Sequence, residues 1–284
     1  MSGRGGLWRD ALNRLAADRA AMLSLAVLAL MIVASVLGPL LLDYRQDEID
    51  WAHMAAPPLS APGHWLGTDR LGRDLLVRTL HGLRVSMGIA LLATLVSLAI
   101  GVSWGAVAGY RRGRTDALMM RLVDVLYALP QVFFVIIVTV VFGRSPATLL
   151  VAIGAFGWLT MARIVRGQAL ALREREFVEA AIVGGAGTAR ILTRHIIPNL
   201  LGPVIVYATL TVPQVILVES FLSFLGIGIQ EPLASLGNLI ADGAAEMETA
   251  FWMLAVPAGC LVLLVFCFNF LGDGLRDALD PRDR

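Results

Sequence analysis

Apolar residues in this chain fall into six long, nearly uninterrupted blocks, at 20–42, 85–109, 117–142, 147–165, 201–227 and 250–271, separated by polar segments that carry the arginines. Each block is near or above the roughly 20 residues that a helix needs to cross a hydrocarbon core. Helices that are apolar all round must be covered on every side, by protein or by lipid. The pattern predicts an all-α, polytopic membrane protein with six transmembrane helices and with membrane lipid as its main surroundings.

The first block follows Arg4, Arg9, Arg14 and Arg19, as the core of a signal peptide would. It is longer than the 7 to 15 apolar residues usual there, and five more blocks follow, so an uncleaved first helix is expected. Of the 23 basic residues, 17 fall in the segments that lie on the same side as the N-terminus if every block spans, and six fall on the other. By the positive-inside rule both termini and the long 166–200 connection are expected in the cytoplasm, within a bacterial inner membrane.

Composition supports this class, with 57% hydrophobic and 16% charged residues over 284 positions, against about 25% charged in soluble domains. A net charge of +1 gives no reason to expect a nucleic-acid partner. All the basic residues are arginine, and a Walker A loop needs a lysine on the β- and γ-phosphates, so no conventional P-loop is present and no enzymatic activity is expected of the chain. Cys260 and Cys267 sit inside the last block and read as packing residues. His53, His64, His81 and His195 lack the spacing of a zinc helix, and no metal site is expected from them.

Several positions inside or beside the blocks invite a closer reading. In the long polar connection before the second block, Leu71, Leu75, Leu76, Leu80 and Leu83 share a helical face, with Thr68 as a candidate N-cap. An interfacial helix and a simple lead-in to the second span fit equally. Gly101, Gly105 and Gly109, four apart, mark a face for close helix packing or, as the other reading, a direct role in the pore. Pro130, Pro213 and Pro257 each remove a backbone donor within a block and favour kinks, which can serve gates. Asp124 and Glu219 are the carboxylates within spans, and each needs a neighbouring helix, an interface or water. Asp124 has arginines near it. Glu219 is either a pore residue or a hydrogen-bonded strut, and Pro213 belongs with them as a pore or interface candidate.

Residues 176–198, EFVEAAIVGGAGTARILTRHIIP, interrupt the apolar blocks. Phe177, Val178, Ala181 and Ile182 give a short helix one apolar side, Gly184-Gly185 break it, and Ile191, Leu192, His195 and Ile196 form a second stripe that Pro198 is expected to stop. Such a pair covers its own bundle, lies on the membrane surface, or enters a groove on a partner, and the pattern alone leaves all three open.

The segment resembles the EAA loop of importer-type ABC permeases, and residues 66–284 resemble the C-type permease subunit within the dipeptide, oligopeptide and nickel permease family. The stretches that carry the resemblance are GTDRLGRDLLVR, MARIVRGQ, REREFVEAA, RHIIPN, ESFLSFLGIG, QEPLASLGNLIADGA and FCFNFLGDGLRDALDPRDR. The resemblance implies a type I importer fold in three parts: 1–84 as tail, first helix and outer segment, 85–273 as the transmembrane domain, and 274–284 as a cytoplasmic tail. It implies half of a pore for oligopeptides, completed by a homologous B-type permease. Two ABC ATPase subunits and an extracytoplasmic peptide-binding protein complete the assembly. ATP and Mg would be held by the ATPases, and this chain would bind no cofactor.

Within the loop, the resemblance makes Glu179 a polar contact or cap, Ala180 and Ala181 close-packing surface and Gly185 the turn, with Phe177, His195, Ile197 and Pro198 in the coupling element. His195 and Ile197 depart from the general pattern, which has an aliphatic residue and a leucine there. Dipeptide, glutathione or nickel remain alternative solutes. An ion-coupled carrier using Asp124 or Glu219 is a reading of another class; such carriers often show internal repeats, and none relates the two halves of this chain.

Overall fold

The computed structural model describes residues 4–279. A helix α1 (Arg4–Ala17) lies before α2 (Arg19–Leu41), the first apolar helix, and Asp18 caps α2 by accepting from the amides of Ala20 and Ala21. After a polar segment comes α3 (Leu75–Arg111), then α4 (Gly113–Tyr127), α5 (Gln131–Phe142) and α6 (Pro146–Arg173). The interrupting loop holds α7 (Glu176–Val183) and α8 (Thr188–Ile191), a π turn (Leu192–Ile196) leads into α9 (Ile197–Phe224), and α10 (Leu236–Ala245) and α11 (Trp252–Leu279) close the chain. Among the described residues the one departure from helix and loop is an isolated bridge between Thr68 and Asp74.

Five of the helices are long and apolar enough to cross a membrane, and α4 with α5 makes a sixth, bent by 78° at a short break. The single span expected over 117–142 is therefore two helices. Pro130 is the N-cap of α5, in extended geometry; it offers no amide, and its ring drives the preceding residue out of the helical region.

The polar connection also differs from one of its two readings. There is no separate interfacial helix, because α3 starts at Leu75 and runs on through the span. Its cap is Asp74, which accepts from the Val77 amide at 2.8 Å. Thr68 is buried in the preceding loop, accepts from the Ala56 amide and donates to the His53 carbonyl. The loop is tied to the far end of the chain by an Arg73–Glu231 ion pair at 2.9 Å and by Trp252, whose indole N–H donates to the Thr68 carbonyl.

The tightest helix pair is α3 with α6. A Cβ placed on Gly101 would come within 2.9 Å of the Trp158 carbonyl, one on Gly105 within 2.9 Å of the Arg166 amide, and one on Gly109 within 2.7 Å of the Arg166 carbonyl. The glycine stripe thus lets the two backbones touch, which is how small residues build contacts between membrane helices. Around that pair the main core runs from Leu83, Met87 and Ala90 of α3 through Leu149 and Ile153 of α6 to Val212, Val215 and Ile216 of α9 and Leu264 of α11.

Gly109→Ala is expected to lower the thermal midpoint in detergent, since overpacking costs about 1–3 kcal/mol. Gly88→Ala on the same helix meets open space and is expected to leave the midpoint unchanged or raised, as alanine is the better helix former by about 1 kcal/mol. At the other end, the hydrogen bond from Arg73 holds the Glu231 carboxyl below its ordinary range, although burial opposes it. A depressed carboxyl stabilises the fold fully above its unfolded pKa, and that contribution disappears as pH falls through the folded value. Glu231 is 53% exposed in its side chain, so the effect is below about 1 kcal/mol. Glu231→Gln should flatten the loss of thermal stability below about pH 5, measured by parallel melts of both proteins.

Candidate functional site

The interrupting segment packs by one face only. Val178 is fully buried, in a cluster with Val165 and Ala169 of α6, Ile191, Leu192 and Ile196 beyond the turn, and Leu200 of α9. The opposite side of α7 is bare: Phe177 and Ile182 are each about two-fifths exposed, Val183 is 88% exposed, and Glu179 and Ala180 face outward. Ala181 sits at the edge of the buried cluster. A folded domain seldom leaves a short helix with apolar side chains on its free face unless something covers them.

The turn after α7 requires a positive φ. The Gly185 amide donates to the Ile182 carbonyl at 3.0 Å, and Gly185, at φ +78°, lets the Ala186 amide reach back to the Ala181 carbonyl at 3.0 Å. These are the bonds of a Schellman-type helix end, and they depend on a residue that tolerates the left-handed region.

Pro198 does not stop the second element, contrary to the sequence expectation. α8, the π turn and α9 form one continuous helix from Thr188 to Phe224, with Ile197 as the first residue of α9. The Ile197 amide bonds the Leu192 carbonyl, five residues back. The widened turn lies immediately ahead of the proline, where the helical ladder must in any case absorb a missing donor. His195 is half-buried, its ring 6.4 Å from that of Phe177.

Ion pairs hold the same end of the molecule together. Arg166 of α6 grips Asp116 of α4 with two bonds of 2.6 Å. Arg163 donates to Asp124 at 2.8 Å and lies over the Tyr127 ring at 4.1 Å. Asp124 therefore pairs with an arginine of another helix, and its side chain stays 63% exposed.

Glu219 is fully buried. Its carboxylate accepts from Ser223 at 2.8 Å and from Ser220, and the side chains of Ser86 and Ser235 lie beside it. Ser86 belongs to α3, and Ser235 caps α10 in a capping box with Asn238, so the carboxylate sits where three helices meet. A cavity of about 450 Å³ lies further down the bundle, lined by Thr94, Ser97, Tyr127, Gln131, Tyr207 and Gln214 among others. It sits at the α4–α5 break. Neither Glu219 nor Asp124 lines it, and Pro213 is buried in α9 beside Gln214.

A family model described as the inner membrane component of binding-protein-dependent transport systems matches residues 101–284. The chain belongs to that family. A second model, the N-terminal transmembrane domain of oligopeptide transport permease C, matches residues 6–58 of the permease. The oligopeptide transport system permease protein OppC of Escherichia coli K12 is 52% identical over 278 residues, covering 98% of this chain and 92% of its own. OppC of Haemophilus influenzae is 50% identical over 98% of this chain and 89% of its own. The dipeptide transport system permease protein DppC of Bacillus subtilis is 44% identical over 97% and 86%. Among solved structures, the MetNI methionine ABC transporter in inward-facing conformations superposes with a TM-score of 0.57 at 19% identity, over 72% of this chain and 96% of its own. That likeness is one of fold.

Sequence spacing pointed to the loop but not to its neighbours. The arginine grips on Asp116 and Asp124 join residues 50 and 39 positions apart, beyond the reach of any local pattern. The Ser-x-x-Asn capping box at 235–238 was readable, although ten-residue α10 is too short to register as a span.

Glu219→Gln keeps an acceptor for its serines and is expected to fold, with the stability changed by under about 1.5 kcal/mol. Glu219→Ala leaves several buried hydroxyls without a partner and should cost about 3 kcal/mol or more. Size-exclusion profiles after graded heating distinguish the two.

Proposed function

We propose that this permease is the C-type subunit of an oligopeptide ABC importer, forming half of the translocation path and coupling it to separate ATPase subunits through α7. The observation that carries this reading is the bare apolar face of α7, with Phe177, Ala180, Ile182 and Val183 outward over a buried Val178. That is the shape of a helix laid into a groove on a partner. The near full-length similarity to oligopeptide permeases supports the solute.

In this reading both termini and α7 are cytoplasmic, in agreement with the arginine distribution. A homologous B-type permease lines the other half of the path, and an extracytoplasmic binding protein delivers peptide. ATP and Mg reside on the two ATPase subunits. When they close, α7 is carried with them. Its anchor, Val178, rests on α6 and on the start of α9, and both helices line the 450 Å³ cavity. A push on α7 therefore arrives at the cavity through two helices and not through a flexible linker. Short peptides are the second reading, favoured by the 44% identity to a dipeptide permease.

Gly185→Val would force a β-branched residue to φ +78°, at a cost of about 1–2 kcal/mol, with open space around it. The subunit is expected to insert normally, while ATPase co-purification and peptide uptake fall at least tenfold. Normal recruitment together with normal uptake would remove the coupling role of this turn. Competition between labelled dipeptides and pentapeptides for uptake separates the two solute readings.

A further inference from the structure

The polar segment between α2 and α3 brings together side chains that no sequence motif connects. Asp50, His53 and His64 each present one ligand atom, and the three atoms lie within 4.8 Å of one another. The Asp50 Oδ2 atom is 2.7 Å from His53 Nδ1 and 3.5 Å from His64 Nε2. A tetrahedral zinc with bonds of about 2.0–2.1 Å holds its ligands about 3.4 Å apart, so the His64 pair is already at that separation. The His53 pair needs to open by well under an ångström.

The surroundings prepare these atoms. His64 is fully buried, and its Nδ1 lies 2.9 Å from Asp74 Oδ2. A carboxylate can only accept, so Nδ1 carries a proton, and a neutral His64 turns its Nε2 lone pair toward Asp50. This is the carboxylate–histidine relay that orients metal ligands. Tyr44 stacks on the His64 ring at 4.2 Å and fixes its plane. The other oxygen of Asp50, Oδ1, is already occupied by the Ala52 amide at 2.9 Å, which leaves Oδ2 for the shared point. A neutral His64 would leave two acceptors facing each other across 3.5 Å, and a cation between them removes the conflict.

We propose that Asp50, His53 and His64 form a binding site for a divalent transition-metal ion of the zinc type. Two imidazoles and one carboxylate suit such borderline ions and not magnesium or calcium, which prefer oxygen alone. A fourth position is left for water. The ion would staple the 50–53 turn to His64 and, through Asp74, to the first turn of α3. It has no part in ATP coupling, since α7 lies at the other end of the bundle.

The test uses the full chain in mild detergent with any histidine tag removed, stripped with a chelator and titrated with zinc by calorimetry, with magnesium as control. One zinc per chain is expected, with a rise in the thermal midpoint and no heat from magnesium. His53 is 38% exposed in its side chain, so His53→Ala should keep the metal-free midpoint while weakening zinc binding at least tenfold. Asp50→Asn should weaken it similarly, and His81→Ala should not. X-ray absorption of the loaded wild type should show two imidazoles bound. No saturable zinc binding, binding unchanged in both His53→Ala and Asp50→Asn, or fewer than two imidazoles at the metal would each overturn the proposal.

Discussion

Direct backbone contact between α3 and α6 is the constraint on which the rest of this structure depends. Gly101, Gly105 and Gly109 bring α3 against the carbonyls and amides of α6 from Trp158 to Arg166. Lipid supplies little hydrophobic force between helices, so association depends on close packing and polar contacts of this kind. Because α6 continues into the loop and α3 rises from the polar segment, the pair connects the α7 end of the molecule to the polar segment at the other end. The cavity opens where α4 and α5 break away from this pair.

Charge is managed differently at the two ends. Toward α7, Arg163 reaches across to an exposed Asp124, where water shares the charge and the grip is mainly geometric, while Arg166 closes with two bonds on a buried Asp116. Deeper in the bundle, Glu219 pairs with no cation among the described residues and accepts from the hydroxyls of Ser220 and Ser223 where three helices meet. A carboxyl enclosed in this way acts as a polar knot: its worth lies in keeping several buried donors satisfied together.

The apolar blocks were legible because transfer into hydrocarbon demands continuous apolar length, and hydropathy reads that demand directly. The α7 stripe and the glycine turn were legible for similar local reasons. The break at Pro130 was only half legible: the proline was visible, but a hydropathy block cannot tell a kink from a 78° bend. The cap of α3 was misplaced by six residues because Thr68 and Asp74 are both good caps, and the buried bonds of Thr68 to Ala56 and His53 decided between them. The convergence of Asp50, His53 and His64 depends on how an irregular segment folds back on itself, and residue spacing carries no record of that.

The π turn at Leu192–Ile196 has a consequence for how the loop and the membrane helix share one axis. Ile191 and Ile196 are five apart and both fully buried, whereas in an unbroken α-helix residues five apart point about 140° away from each other. The extra residue acts as a phase shifter, so the stripe that seats α7 and the stripe that packs α9 face the same core although they keep different registers. The length of this turn is therefore fixed more strictly than its composition. Removing one residue would leave a good helix but rotate everything before it by about 100°, turning the exposed apolar face of α7 in a new direction while every span kept its length.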